Sequence, residues 1–429
     1  MRKRKWKTLS IALAAVMACS VAGCGKAETK ESAGFTPRLN TEEPVNLEIA
    51  GFMGNFEALD QVINNFNEYY PNVTVSYEQN DSYMLASYVE NNQGVDIIMT
   101  NDSNINNAEL PNNYVRDACL DLNKEDIDFS DIQPEALKYC SVDGALLRVP
   151  ITMNPCGMAV NETLLEKEGL KVPTNYQEFL DVLATLKEKG YVPIQGSEIH
   201  VYAEMTINMF MNMLASDKEL LPALTSGEEG AADKIKPVFE VLQTVMENGY
   251  TDYDLNSTYG SDNYDSSIMS FFEGNMPFWI CNAESFSGAK KRESKSETFS
   301  ANPFTYEYMY VPLGEEGVYE YTEPWYGFSV CKNSDAKDYA VEFIRFLMTK
   351  EQSNTMASIK GMPSVAKEAT DERYPALHDV KNSQAAFSND GTVSNHVREI
   401  FTQVCNDYAA GKYSSAGEAA QAFAQAMAQ

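Results

Sequence analysis

Amide and carboxylate side chains lie in three early turns of the chain, each directly after a short apolar segment. The segments are VNLEIAG, VTVSY and VDIIMT. Such side chains hydrogen-bond to the polar groups of a small solute, although asparagine and aspartate also form turns and helix caps. The polar candidates of these turns are Asn55, Asn80, Asp81 and Asp102.

Aromatic side chains lie beside two later strand-like segments. Trp279 and Trp325 fall in PFWICN and EPWYGFSV, and Tyr326 adjoins the second of them. A tryptophan offers a flat apolar face for stacking, but it can equally pack in a core, where its N–H still needs a partner. Glu284, which follows the Trp279 segment, and Asn154 are further polar candidates.

The elements that position the early turns are a predicted parallel α/β sheet. Strands are predicted at 45–51, 73–77 and 95–100, with a helix at 83–91. Between the first two strands, NFEALDQVINNFNEYYP has apolar residues at steps of three and four, which predicts an amphipathic helix that ends at Pro71. Ligands of such sheets bind at the carboxyl ends of the strands, where the three turns lie.

The sequence lacks the common catalytic and cofactor motifs. It has no G-x-S-x-G, P-loop, H-E-x-x-H or G-x-G-x-x-G. Asp252-x-Asp254-x-Asn256 begins like a calcium loop, but Ser257 holds the position that requires glycine. We therefore expect no cofactor, no metal and no enzymatic activity. A carboxylate pair for glycoside hydrolysis stays open, because such a pair is defined by its separation in space.

The charge of the chain excludes one broad class of partner. Acids outnumber bases by 62 to 33, giving a formal net charge of −29. A surface of this sign repels phosphate backbones, so we expect no nucleic-acid binding. The same charge argues against anionic solutes.

The cysteines show no spacing that defines a site. Six lie beyond residue 24, and none has C-x-x-C spacing, which excludes zinc ribbons and thioredoxin-like motifs. Several lie in apolar segments, so we predict buried free thiols and assign no disulfide. The six are Cys119, Cys140, Cys156, Cys281, Cys331 and Cys405.

The first 23 residues are typical of an export signal. A basic start (MRKRKWKT) precedes an uncharged apolar run of 15 residues, which is short for a membrane span. The run ends in Val-Ala-Gly-Cys24, which resembles a bacterial lipobox. The resemblance implies cleavage before Cys24 and lipid attachment to its sulfur, with residues 24–43 as a flexible tether.

The chain from about residue 45 to 429 resembles the extracellular solute-binding proteins of carbohydrate ABC importers (family 1, maltose-binding-protein-like). The segments that carry the resemblance, in order, are NFEALDQVINNFNEYYPNVTVSY, GVDIIMTND, SVDGALLRVP with the following PTNYQEF, FFEGNMPFWICN, WYGFSVCKNSDAKDYAVEFIRFLMTKEQ and GMPS. Ala145, Val160 and Tyr176 replace residues that the family usually shows as Lys, Tyr and Trp. These departures are mostly at scaffold positions, so they argue against a close relationship to an individual member and not against the resemblance to the family.

The resemblance implies a hinged, two-lobe, periplasmic-binding-protein-like fold of type II with discontinuous lobes. We predict lobe 1 at 44–153 plus 325–363 and lobe 2 at 154–324 plus 364–429. Chain crossings are then expected near Met153–Pro155, near Glu323–Trp325 and after Met362.

The implied function is capture of a sugar or oligosaccharide in the cleft between the lobes. Trp279, Trp325 and Tyr326 would stack on the sugar, and the polar candidates would bind its hydroxyls. The chain would be a monomer held at the extracellular side of the cell membrane only by its lipid, and its partner would be the membrane permease. A peptide or polyamine ligand, a glycan-active surface enzyme and an adhesin are the alternatives.

Overall fold

The structure of the chain is a computed structural model. It describes residues 35–54, 56–80, 94–100, 117–259, 264–369, 374–378, 380 and 382–429. Pro37–Gln429 form a unit with a mixed α/β architecture. No helix within the described ranges is long and apolar enough to span a bilayer.

Strands and helices are interspersed along the described residues, with runs of short strands at 141–161 and of helices at 198–271. The strands are β1 (Val45–Gly51), β2 (Val73–Gln79), β3 (Ile97–Thr100), β4 (Ser141–Val142), β5 (Ala145–Leu146), β6 (Val149–Pro150), β7 (Cys156–Asn161), β8 (Ile194–Gln195), β9 (Phe278–Asn282), β10 (Tyr306–Met309), β11 (Val318–Thr322), β12 (Gly327–Val330) and β13 (Ser383–Ser388). The α-helices are α1 (Glu57–Tyr69), α2 (Pro134–Tyr139), α3 (Glu162–Lys167), α4 (Tyr176–Glu188), α5 (Glu198–Ser216), α6 (Leu220–Ser226), α7 (Ala231–Glu247), α8 (Tyr253–Ser257), α9 (Tyr264–Phe271), α10 (Ala283–Lys290), α11 (Glu297–Ala301), α12 (Lys337–Leu347), α13 (Lys350–Lys360), α14 (Pro375–His378), α15 (Asn395–Ala409) and α16 (Ala416–Met427).

A five-stranded sheet forms the first lobe, in the order β2-β1-β3-β12-β6. β1 pairs in parallel with β2 and β3, as predicted from the sequence, and β12 runs antiparallel to β3 and β6. The apolar face of α1 is buried through Leu59, Val62 and Phe66, and the helix ends before Pro71. The helix predicted at 83–91 lies outside the described residues.

A four-stranded sheet forms the second lobe, in the order β10-β7-β9-β8. β9 is antiparallel to β7 and parallel to β8. A large apolar core lies here, and it includes the C-terminal helices α15 and α16 through Phe401 and Phe423. The two-lobe type II fold expected from the resemblance is therefore confirmed.

The strands of the two sheets fall within the residue ranges predicted for the two lobes. Beyond the predicted boundary at 363, the Lys367 N–H still donates to the Asp131 carbonyl, and the Val365 carbonyl accepts from the Gln133 N–H. This stretch therefore packs with residues of the first lobe. The lobe boundaries themselves stay a prediction.

All six cysteines within the described part of the chain are buried, and none of them forms a disulfide. The prediction of buried free thiols is confirmed. Five of them lie in apolar cores, with Cys156, Cys281 and Cys405 in the second lobe and Cys119 and Cys331 beneath the first sheet.

Candidate functional site

Tyr326 lies at the carboxyl edge of the first sheet. β1 and β3 are parallel and end at Gly51 and Thr100. β12 runs the opposite way and its first residue, Gly327, pairs with Thr100, so Tyr326 comes directly before this edge. The ring of Phe52, one residue past β1, meets the Tyr326 ring edge-on at 4.9 Å between centroids.

Gly327 allows the strand that follows Tyr326 to lie tightly against β6. A Cβ at this position would collide with the Arg148 side chain and with the Val149 carbonyl oxygen. Glycine is therefore required here by close backbone approach. This packing fixes the point at which Tyr326 leaves the sheet.

Asn80 occupies the same edge. It follows the last residue of β2, and its backbone N–H donates to the Gly51 carbonyl at 2.6 Å. Its side-chain Nδ2 is buried and has no hydrogen-bond partner in the part of the chain that the structure describes. A buried donor without a partner is costly, so a ligand acceptor at this position would gain binding energy.

Three chain segments meet close to Trp325, and they define the junction between the two predicted lobes. The Trp325 N–H donates to the Thr152 carbonyl at 3.0 Å, and the Met153 N–H donates to the Pro363 carbonyl at 2.9 Å. These are the segments in which crossings between the lobes were expected. Their mutual hydrogen bonds hold Trp325 beside the start of the second lobe.

Asn154 links this junction to the second sheet. β9 ends at Asn282, whose side chain caps α10 by accepting from the Ser285 N–H at 3.0 Å. In the first turn of α10, the Glu284 N–H donates to Asn154 Oδ1 at 3.0 Å. Asn154 is fully buried, and its Nδ2 has no hydrogen-bond partner among the described residues. It thus presents an amide donor beside Glu284.

Trp325 and Tyr326 form an aromatic pair at the junction. Their ring centroids are 4.8 Å apart with the planes tilted by 51°, and both side chains are half-buried. Trp325 Nε1 has no hydrogen-bond partner of ordinary length among the described residues. The indole nevertheless lies near enough to the Glu284 carboxylate to lower the pKa of that group. The indole ring therefore lies beside the Glu284 carboxylate at the junction.

Opposing influences set the charge state of Glu284. Burial raises its pKa, while Lys360, Trp325 and His200 lower it, and the net direction is upward. Burial likewise lowers the pKa of Lys360, which Glu284 offsets only in part. Each group is held nearer to neutrality than in water, as is common where buried polar groups face a binding cleft.

His200 and Glu204 add a second polar pair that the sequence analysis did not single out. They lie four residues apart on α5, with Nδ1 and Oε1 at 3.2 Å. Burial lowers the pKa of His200, but the Glu204 carboxylate outweighs this and the net pKa is raised. Asn282 Nδ2 donates to Glu204 at 2.9 Å. The spacing of four residues on a predicted helix is the sequence feature that could have indicated this pair, because such residues lie on the same face.

A cavity of about 400 Å³ opens beside α10. This volume falls in the range typical of small-molecule sites. Its lining is polar and carries charges of both signs, from Glu284, Ser287, Gly288, Lys291, Arg292 and Lys360. Among the described residues, no group of three His, Cys, Asp or Glu side chains is placed to hold a metal ion.

Trp279 does not belong to this site, which corrects the sequence interpretation. Its side chain is 2% exposed and packs within the second lobe, with its ring 5.6 Å from that of Phe271. β9 is central in its sheet and buried along its whole length, so a large side chain there faces a core. Both Trp279 and Trp325 lie beside predicted strands, so the sequence pattern could not show which of the two is buried in a core.

The remaining candidates divide into two groups. The structure brings Asn154, Glu284, Trp325 and Tyr326 together at the junction, and Asn80 lies at the adjoining sheet edge. Asn55, Asp81, Asp102 and the lipidation candidate Cys24 lie outside the described residues.

A sequence profile of bacterial extracellular solute-binding proteins matches residues 61–388. The chain belongs to this family. The match spans both lobes and the segments that join them. No curated protein matches the chain.

Solved structures share the fold at low sequence identity. The periplasmic solute-binding protein ECA2210 from Pectobacterium atrosepticum is 17% identical with a TM-score of 0.69, covering 90% of this chain and 98% of that one. The sugar transporter protein BL01359 from Bacillus licheniformis, solved with stachyose, is 16% identical with a TM-score of 0.61, covering 90% and 100%. RafE from Streptococcus pneumoniae is 14% identical with a TM-score of 0.67, covering 91% and 100%.

Proposed function

We propose that this protein captures a sugar or oligosaccharide between its lobes and delivers it to the membrane permease of an ABC importer. The observation that carries the proposal is the grouping of Trp325, Tyr326, Asn154 and Glu284 at the junction of the two lobes. The indole and phenol rings suit the apolar faces of a sugar, and the amide and carboxylate suit its hydroxyls. The raffinose and stachyose bound to proteins of the same fold support this choice of ligand class.

Closure of the lobes would follow from the position of the site. Tyr326 extends from the edge of the first sheet, while Glu284 extends from the edge of the second. A solute that contacts both makes its full set of contacts only when the lobes are closed, so binding shifts the population toward that state. In this function the solute is bound and released without any change to its covalent bonds.

We further propose that the protein acts at the extracellular side of the cell membrane as a monomer. Cys24 would carry the lipid, and residues 25–43 would tether the lobes to it. Labelling with a fatty-acid analogue in a bacterial host tests the anchor, and Cys24→Ser should lose the label. Incorporation into the Cys24→Ser variant would contradict it.

A thermal-shift series with raffinose and stachyose tests the ligand class. A ligand that binds only the folded state raises the Tm with its concentration. We expect a shift for the wild-type protein that Trp325→Ala loses and Trp325→Phe partly retains. Tyr413→Ala, which removes a half-buried aromatic side chain from the turn between α15 and α16, is the matched control. Shifts with cationic peptides or polyamines and none with a neutral glycan would overturn the sugar assignment.

Product analysis distinguishes binding from catalysis. The charge of Glu204 contributes to the raised pKa of Glu284, so the two carboxylates are close enough to interact. Glycoside hydrolases use a pair of carboxylates of this kind. We expect oligosaccharides to be recovered intact after long incubation with the protein. Shorter sugars that disappear with Glu284→Gln would instead establish a glycan-active enzyme.

A further inference from the structure

Cys119 and Cys331 face each other at the edge of the first sheet that lies away from the candidate site. Cys331 follows β12, and its backbone N–H donates to the Asp96 carbonyl, beside the start of β3. The other side of Cys331 forms an isolated antiparallel bridge with Cys119. The two residues are about 210 positions apart in the sequence.

Backbone hydrogen bonds on both sides fix the register of this pair. The Leu120 N–H donates to the Val330 carbonyl at 2.8 Å, and the Lys332 N–H donates to the Ala118 carbonyl at 2.7 Å. Cys119 and Cys331 are therefore a non-hydrogen-bonded antiparallel pair, in which Cα atoms lie about 4.5 Å apart and side chains are closest. This separation falls within the range that a disulfide spans without backbone movement.

The thiols themselves are in contact. A hydrogen bond with Cys331 and burial together hold the pKa of Cys119 well above its usual range. Both residues belong to the apolar cluster beneath the first sheet, in which Cys119 is fully buried and Cys331 is 5% exposed. Cys331 is thus the more accessible of the two.

The neighbouring cysteines of the second sheet do not share this geometry. Cys156 and Cys281 lie on adjacent antiparallel strands, but Cys156 pairs with Asn282 and Cys281 pairs with Gly157. Because side chains alternate along a strand, the two cysteines point to opposite faces, and each packs in a different core. Proximity along the sheet alone does not make a disulfide site.

We propose that Cys119 and Cys331 form a disulfide when the protein meets a low-molecular-weight disulfide oxidant. The Cys331 thiol loses its proton, and its thiolate attacks the external disulfide, giving a mixed disulfide and releasing one thiolate. The Cys119 thiol then loses its proton and its thiolate attacks Cys331 Sγ, which releases the second. In total two protein thiols are oxidised to one disulfide, the external disulfide is reduced to two thiols, and the two protons go to the released thiolates.

The bond would join the segment after β3 to the end of β12. Closing a long loop restricts the unfolded chain, so the oxidised protein should be the more stable form. The other end of β12 begins directly after Trp325 and Tyr326. The disulfide would therefore stiffen the wall of the first lobe without touching the candidate solute site.

Peptide mapping of the oxidised full-length chain tests the proposal. The protein is purified under reducing conditions, exposed to oxidised glutathione and digested without reduction. We expect a linked peptide pair containing Cys119 and Cys331, together with a Tm rise of roughly 5 °C that dithiothreitol reverses. Recovery of both cysteines as thiols, as separate glutathione adducts or linked to other cysteines would overturn it.

Matched serine variants assign the stabilisation. Cys119→Ser should abolish the oxidant-dependent rise in Tm, whereas Cys405→Ser, at a buried cysteine of the second lobe, should retain it. A rise that persists in Cys119→Ser would contradict the assignment. If either variant does not fold, the peptide map of the wild-type chain decides alone, because it needs no substitution.

Discussion

The side chain of Asn154, in the segment that leaves the first lobe, accepts a hydrogen bond from the backbone N–H of Glu284 at the start of α10 in the second lobe. The distance is 3.0 Å, and Asn154 is fully buried. One amide thereby sets the position of an acidic residue that lines the cavity. The relationship connects the lobe junction directly to the proposed solute site.

Replacing Asn154 with alanine should damage binding and stability together. The change leaves the Glu284 N–H without its buried acceptor, which costs about 1–3 kcal/mol. We expect a Tm below that of the wild type and an affinity for the solute lower by about tenfold, measured by calorimetry. Asn395→Ala removes an exposed side-chain hydrogen bond at the start of α15 and serves as control. Equal binding by Asn154→Ala and wild type would show that this hydrogen bond does not position the site.

Lys360→Met should move the pH dependence of solute binding. Lys360 lowers the pKa of Glu284 against the upward effect of burial. Without the ammonium group, that pKa moves further up, so the carboxyl group keeps its proton at a higher pH. If the carboxylate accepts solute hydroxyls, the acid-side loss of affinity should shift to higher pH, measured by calorimetry between about pH 4 and 8.

The control for this experiment lies on the same helix. Lys350, at the first turn of α13, is exposed and lies ten residues before Lys360. Lys350→Met should leave the pH profile unchanged. A parallel shift in both variants would point to net charge as the cause, and coincident profiles for wild type and Lys360→Met would contradict a role for the Glu284 carboxylate.

Much of the fold could be predicted from local patterns in the sequence. The spacing of apolar residues predicted α1, and alternation of apolar and polar residues predicted β1, because a short strand or helix must bury one face. Asn154 was proposed because it lies in a segment predicted to cross between the lobes, and Trp325 because it is an aromatic residue beside a predicted strand. The patterns of α1 and β1 could be interpreted because they are set by neighbouring residues in the sequence.

The rest of the site depends on contacts that local patterns do not contain. Lys360 and Glu284 line the same cavity, although they are far apart in the sequence, because α13 packs near the junction. Trp279 was misplaced for the same reason, since its side chain is buried by packing against Phe271, which lies on the helix α9. The Cys119–Cys331 pair likewise follows from strand register. The spacing of the six cysteines in the sequence does not show which of them are neighbours across strands.

A buried ion pair stabilises the junction of the lobes. The Arg398 guanidinium contacts the Glu323 carboxylate, with 17% and 4% of the two side chains exposed. Tyr321 and Tyr139 also donate to this carboxylate, the latter at 3.3 Å. Glu323→Gln leaves the buried Arg398 charge without its partner, so the free energy of unfolding should fall by about 3 kcal/mol in urea denaturation.

Two further variants separate loss of the pair from loss of a surface charge. The double variant Glu323→Gln/Arg398→Met removes the uncompensated charge and should recover part of the stability. Lys236→Ala breaks an exposed ion pair with Glu240 and should cost less than about 1 kcal/mol. A double variant no more stable than Glu323→Gln would mean that the hydrogen bonds to Glu323, rather than its ion pair, hold the junction.

Glu342 should stabilise the folded protein at neutral pH, and this stabilisation should be lost in acid. Burial raises its pKa, but the Arg345 guanidinium and the Tyr70 hydroxyl outweigh this, and the net pKa is lowered. Because the folded pKa lies below the unfolded value, the stabilisation is present above the unfolded pKa of about 4.3 and is lost as the pH falls through the folded pKa. Glu342→Gln should therefore have a lower Tm at pH 7, with the gap to wild type closing toward pH 3. The measurement is Tm against pH, with the exposed Glu351→Gln as control, and a gap that stays constant over this range would contradict the assignment of the shifted pKa to Glu342.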